Sequence, residues 1–311
     1  MLIYQTNESV WGIAVKNKKL LSVIMILTAA AGWGVIGVFT RPLNAAGLSA
    51  LQITLLRSLT VTAGMGAFLL IKDKSLFKIK LKDFWIFLGT GLVSIVFFNV
   101  CYFLTIGKTT LATASVLLYT APCFVMLMSA IFFKEKITAQ KIAALVIAFF
   151  GCALASGFAG GDISLAVLLT GIGSGLGYAS YSIFGKVALE KYHTFTLVFY
   201  TFLVASVGIL PFSDIAGTAS VLAADTGALL CALGLGLVST LMPYIFYTTG
   251  LKRIDAGKAS VMAFAEPMVA ALAGLLIFKE ALHLSNAFGI LLIFAAIVLL
   301  NIPIKRKAKQ N

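Results

Sequence analysis

Charge is scarce in this chain. Asp, Glu, Lys and Arg make up only 11% of its 311 residues, against roughly 25% in soluble domains. With 60% hydrophobic residues, the chain has too much apolar surface for a soluble fold to hide. Histidine is nearly missing: His193 and His283 are the only two, both outside the apolar runs, and no His-Glu-x-x-His pattern occurs, so the commonest zinc-hydrolase helix is excluded. The four cysteines, Cys101, Cys123, Cys152 and Cys231, fall in or beside apolar runs with no paired spacing, which implies neither a disulfide framework nor a metal cluster. The Gly-x-x-x-x-Gly-Lys-Ser/Thr loop that cradles ATP phosphates is absent. Only one carboxylate, Glu266, stands well inside an apolar run, so the paired acids of an intramembrane hydrolase are missing too. These absences leave no catalytic residue, metal or cofactor to expect, and argue against an enzyme.

What is present is a series of long apolar runs. A hydrocarbon core about 30 Å thick takes roughly 20 apolar residues per helical crossing. Runs of that kind cover 20–39, 51–71, 84–106, 112–133 and 142–158, and then 165–185, 195–212, 227–250, 259–278 and 288–302. The fold expected is an all-α polytopic membrane protein with ten transmembrane helices, and the lipid bilayer is its first partner.

The net charge of +13 does not point to nucleic acid, because no soluble basic domain is long enough to carry such a surface. With the N-terminus placed in the cytoplasm, the alternate loops and the two termini collect 20 of the 24 Lys and Arg residues. The opposite loops hold only Arg41, Lys108 and Lys279, and Arg57 lies inside a span. By the positive-inside rule both termini are cytoplasmic and the protein is multi-pass in a cell membrane of the inner or plasma type. One missed or invented helix would scramble this asymmetry. The first apolar run resembles a signal peptide in having Lys16, Lys18 and Lys19 before it and Ala29-Ala30-Ala31 within it. It is expected to be retained, since it continues to Phe39 and the repeat described next needs it.

Laid on itself at an offset of 145 residues, the chain repeats. Leu88-Gly89 and Gly91-Leu92-Val93-Ser94 return as Leu233-Gly234 and Gly236-Leu237-Val238-Ser239, Tyr102 returns as Tyr247, Ala114-Ser115-Val116 as Ala259-Ser260-Val261, Pro122 as Pro267, and Phe133-Lys134-Glu135 as Phe278-Lys279-Glu280. The first two spans of each half match with a shift of about two residues, Gly32 and Gly34 falling on Gly175 and Gly177. Residues 20–158 and 164–303 are thus two five-helix repeats between a cytoplasmic segment, 1–19, and a basic tail, 304–311. An odd number of spans per repeat sends the second through the membrane upside down, and inverted repeats are characteristic of secondary transporters. A channel or a non-transporting receptor is the more remote reading, since channels more often set repeats around an axial pore.

The first-span Gly32-Trp33-Gly34, Arg57 early in span two, the paired Pro-containing spans ending in Phe-Lys-Glu and the five-plus-five layout together resemble the drug/metabolite transporter superfamily, EamA type, over nearly the whole chain. The resemblance implies export of a small metabolite such as an amino acid or related solute. Nucleotide-sugar or other small-solute exchange is the alternative among relatives. A homodimer is left open.

The candidate substrate residues follow from polar groups at membrane depth. Glu266 carries a charge that costs about 2.5–3.5 kcal/mol to bury; it is either a site for a substrate amine or proton, or a structural partner for backbone freed by Pro267. Arg57, about six residues into its span, either reaches toward Glu266 or snorkels to the headgroups. Trp33, Asn99, Tyr102, Tyr119, Tyr178 and Tyr244, with Tyr181 and Tyr247, lie within spans, where a cavity or a neighbouring carbonyl must satisfy their polar ends. Pro122, Pro243 and Pro267 each remove a backbone donor inside a span and are hinge candidates or simple bends. Gly171, Gly173, Gly175 and Gly177 in span six permit close helix approach.

Overall fold

The computed structural model describes residues 3–157, 164–281 and 283–302, with side chains from Lys18 onward. The basic tail and most of the N-terminal segment lie outside the described side chains. Among the described residues every regular element is helical, as required where lipid offers the backbone no hydrogen-bond partner. Ten apolar helices carry the chain across: α1 Lys18–Ala45, α2 Ala50–Lys72, α3 Leu81–Ile106, α4 Leu111–Phe133, α5 Ala139–Ala155, α6 Leu165–Leu189, α7 Thr194–Phe212, α8 Thr226–Leu251, α9 Ala256–Phe278 and α10 Leu284–Asn301. Nine of them have 18 or more residues; α5 is shorter and sits at the lower limit of about 17 for a crossing. A short helix, Ile215–Ala224, links α7 to α8. Side-chain caps start several spans: Ser49 on Gln52 N for α2, Thr138 on Lys141 N for α5 and Ser164 on Val167 N for α6, each satisfying one orphan donor of a helix start.

The packing obeys a pseudo-twofold axis. α1 lies on α8 and α9, and its counterpart α6 lies on α3 and α4, while α2 pairs with α7 and α5 with α10. The membrane supplies no hydrophobic drive between helices, so close approach by small residues does the joining. Gly151 and Gly289 bring α5 and α10 together until a Cβ added at Gly289 would stand 2.5 Å from Gly151 O. The four ion pairs among the described residues each join two segments that the charge pattern assigns to one face. Lys141 with Asp255 at 3.1 Å, Lys191 with Asp83 at 2.6 Å and Lys186 with Glu135 lie on the basic face, and Arg41 with Glu280 at 2.6 Å on the opposite face. Asp83 also accepts from Tyr192 Oη at 2.8 Å, and its carboxylate holds the Lys191 ammonium above the ordinary lysine range.

Apart from a break in α1 at Val35, four spans are interrupted, in two symmetric pairs. α4 breaks between Leu118 and Ala121, and α9 between Met262 and Ala265. α3 and α8 hold π-helical stretches, Gly89–Phe97 and Leu237–Leu241, which fall on the recurring Gly-Leu-Val-Ser. Such π segments leave part of the i→i−4 ladder unmade and are frequent at functional sites.

Candidate functional site

The breaks in α4 and α9 decide where the polar residues go. After its break α9 restarts at Ala265, so Glu266 stands in the first turn of a half-helix, where the helix dipole favours a carboxylate. Pro267 and Pro122 fall in the first turns of the two half-helices, and Pro243 follows the π stretch of α8 at the start of Met242–Leu251. A proline in the first turn of a half-helix gives up a donor that had no partner. Pro122 and Pro267 therefore mark existing breaks, while Pro243 lies within continuous helix at the end of the π stretch.

Tyr178 of α6 donates its hydroxyl to Glu266 Oε2 at 3.3 Å. Arg57 of α2 stands in the neighbourhood of Tyr244, Glu266 and Tyr178, yet no ion pair joins it to Glu266. Its Nε is buried without a hydrogen-bond partner among the described residues, although buried donors are rarely left unpaired. Arg57, Glu266, Tyr178, Tyr102 and Tyr119 are all partly exposed.

The aromatic residues divide into two groups. Trp33, Tyr181, Tyr244 and Tyr247 are buried; Trp33 packs its ring 5.4 Å from Tyr244, 5.3 Å from Tyr247 and 6.3 Å from Tyr178. Tyr181 Oη and Thr248 Oγ1 are 2.6 Å apart, and Tyr247 Oη is 2.8 Å from Ser182 Oγ. These rings enclose a cavity of only ≈ 10 Å³ together with Ser94 and Ser182, about the room of one water. They form a packed floor. Tyr102 and Tyr119 belong to the other group, toward the face opposite the basic one: Tyr102 Oη meets Ser115 Oγ at 3.2 Å, and Tyr119 stacks on Phe264 at 5.7 Å. Asn99 stands apart from both. Buried, it donates to Ile95 O at 2.7 Å, and its Oδ1 lies 3.5 Å from Thr54 Oγ1, so its amide braces the π stretch of α3. A larger hollow of ≈ 580 Å³ between α3, α4 and α6 is lined by Trp85, Phe97, Phe132 and Leu176, all exposed on the outside of the bundle; Arg57 and Glu266 are not among its lining residues.

Glycine sets how tightly these helices meet the breaks. A Cβ at Gly34 would stand 2.7 Å from Glu266 O, and one at Gly175 would stand 3.2 Å from Leu117 O. Gly37, one turn beyond Gly34, has nothing within 4 Å. Gly34→Ala is accordingly expected to cost about 1–3 kcal/mol by overpacking, read as a lower melting temperature in detergent. Gly37→Ala should be neutral or gain up to about 1 kcal/mol of helix propensity.

Comparison with known proteins gives this geometry a family. The model of the EamA-like transporter family matches twice, over residues 20–157 and 165–302. The chain belongs to the EamA-like transporter family. An uncharacterized transporter of Archaeoglobus fulgidus is 31% identical over 68% of this chain and 75% of its own length. The uncharacterized inner membrane transporter YicL of Salmonella typhimurium is 26% identical over 91% of this chain and 96% of its own. A crystal structure superposes with a TM-score of 0.77 at 17% identity, over 90% of this chain and 96% of that one, and shows the fold. This EamA-family protein is therefore a membrane transporter and not an enzyme.

Some site features escape sequence reasoning. Ser94 and Ser182 line the small cavity; Ser94 was marked only by its place in the repeated Gly-Leu-Val-Ser, and Ser182 by nothing.

Proposed function

We propose that this EamA transporter moves a small zwitterionic solute, an amino acid or a close relative, by alternating access, in the direction of export. The observation that carries the reading is the pair Arg57 and Glu266. Two opposite charges stand at membrane depth, each partly exposed, without pairing with each other. Charges left apart at membrane depth need outside partners to offset their desolvation, and a zwitterion brings one of each sign: a carboxylate for the guanidinium fork and an ammonium for Glu266 beside Tyr178. The packed aromatic floor and the partly exposed Tyr102 and Tyr119 support a cavity closed toward the basic face and open toward the other. With the basic face cytoplasmic, this conformation is outward-open. The inverted repeats supply its inward-open counterpart, and no nucleotide-binding loop requires ATP, so a gradient drives transport.

Counterflow into proteoliposomes tests the substrate class. Neutral amino acids should exchange, and N-acetylation or carboxyl esterification should each weaken exchange at least about tenfold, the loss of one charge-assisted hydrogen bond of roughly 1.5–3 kcal/mol. Efficient exchange of the doubly blocked compound, or of nucleotide sugars in preference to amino acids, would remove the zwitterion reading.

A further inference from the structure

The repeated Phe-Lys-Glu that ends α4 and α9 has no part in the cavity, yet its two copies are built alike. Lys134 and Lys279 both take the left-handed backbone conformation, with φ of 54° and 55°. The N–H of Glu135 closes onto Ser129 O at 3.2 Å and that of Glu280 onto Gly274 O at 3.1 Å. Each glutamate pairs with a cation from the other repeat, Glu135 with Lys186 and Glu280 with Arg41. Each cation also lies over the aromatic ring of the same motif: Lys186 Nζ is 5.3 Å from the Phe133 centroid, and Arg41 Cζ is 4.0 Å from that of Phe278. Arg41 and Lys186 lie 145 residues apart, within two residues of the register that lays Gly34 on Gly177. Two equivalent devices thus stand on opposite faces of the membrane.

They differ in one respect. Glu135 also caps a helix: Oε1 accepts from Ala256 N at 2.8 Å and Oε2 from Gly257 N at 3.2 Å, at the start of α9. Its side chain is 7% exposed. Glu280 is 50% exposed and takes no backbone N–H among the described residues. The repeat equivalents of Ala256 and Gly257 are Leu111 and Ala112, the first residues of α4. Leu111 is exposed, Ala112 partly so, and neither N–H has an acceptor among the described backbone bonds. The device is closed on the basic face and half-made on the other.

We infer that Glu135 and Glu280 are alternating helix caps, so that in the opposite conformation Glu280 accepts from the N–H groups of Leu111 and Ala112 while Glu135 releases α9 and keeps only Lys186. This rests on the alternating-access reading. Each carboxylate is offered the same two ligand sets, a cation alone or a cation plus a helix N-terminus. Because the motifs are equivalent, what one face loses the other gains, and a helix start is a favourable seat for a carboxylate. The two conformations can then lie close in energy without either face being left open at random.

Proline substitution tests this without touching the carboxylates. Thr110, which precedes Leu111, has an extended backbone with ψ of 153°, and Asp255, which precedes Ala256, has ψ of 139°, so neither is in the helical conformation that a following proline disfavours and proline fits the first helical position at both sites. Ala256→Pro deletes a donor used in this conformation, and Leu111→Pro deletes one used only in the other. The full-length chain, its four cysteines replaced, would be spin-labelled in nanodiscs at Lys136 and Arg253 on the basic face, and in a second sample at Lys108 and Ala281 on the other. Ala256→Pro should lower the closed fraction between Lys136 and Arg253 and raise it between Lys108 and Ala281, changing the ratio of conformations roughly tenfold, equivalent to about 1.4 kcal/mol. Leu111→Pro should move both distances the other way. Glu135→Gln and Glu280→Gln should repeat the two shifts if either proline variant fails to fold. Distances on the two faces that trade off, but shift alike or not at all in these variants, overturn the alternating caps and leave alternating access standing. Distances that never trade off overturn both.

Discussion

Glu266→Gln should weaken counterflow of the substrate by roughly ten- to a hundredfold while the protein folds as well as before or better. The two halves of that result have separate physical origins. Gln has nearly the size of Glu and still accepts the Tyr178 hydroxyl, which reaches Glu266 Oε2 at 3.3 Å. What is lost is the charge-assisted bond to a substrate ammonium, about 1.5–3 kcal/mol, which converts to that range of affinity. What is gained is relief from holding a carboxylate at membrane depth, about 2.5–3.5 kcal/mol on insertion scales. Transport and stability therefore move in opposite directions, and only a functional carboxylate does that. If Glu266 merely satisfied backbone at the α9 break, the amide would serve as well, and transport would survive. Counterflow measured beside a melting curve separates the two.

Arg57→Lys should weaken transport about five- to tenfold, and Arg57→Gln about a hundredfold. Lys retains the charge but not the planar fork that meets both oxygens of a carboxylate, whereas Gln loses the charge as well. The stability effect again runs the other way, because the Arg57 Nε is buried without a partner and its removal relieves a penalty of about 1–3 kcal/mol. An Arg57 that only anchored a headgroup would show the reverse pattern, with transport little changed and the melting temperature lowered. Substrate concentration series on the two variants decide between these outcomes, since a binding role raises KM more than it lowers the maximal rate.

The fold was legible because the membrane reduces it to length and polarity. Ten apolar runs, the face-to-face asymmetry of Lys and Arg, and the 145-residue register of Pro122 with Pro267 each constrain one chain at a time. Glu266 was legible as the lone acid at depth. Arg57 stood out for the same reason, though no spacing along the chain could tell that it stays unpaired in the neighbourhood of Tyr244 and Tyr178. The aromatic residues were visible as a set but not as two groups, since whether Tyr244 packs and Tyr119 stays partly exposed depends on contacts between helices far apart in sequence. Asn99 shows the limit most clearly: a polar side chain at depth looks like a cavity residue until its amide is found on Ile95 O. The π stretches lay under a motif that the repeat had already marked, with no local signal of the altered winding, and the pairing of Arg41 with Glu280 joins residues too distant for any sequence window.

The most direct test of the zwitterion site is a melting-curve matrix on detergent-purified protein. Wild type, Glu266→Gln and Arg57→Gln would each be heated with an amino acid that stabilises the wild type, with its N-acetyl and methyl-ester forms, and with a nucleotide sugar. The expected pattern is stabilisation of the wild type by the parent zwitterion alone, with Glu266→Gln indifferent to N-acetylation and Arg57→Gln indifferent to esterification. Equal stabilisation of all three proteins by the zwitterion, or stabilisation of the wild type by the blocked forms or the nucleotide sugar, would contradict the assignment of Arg57 and Glu266 as the two ends of the substrate site.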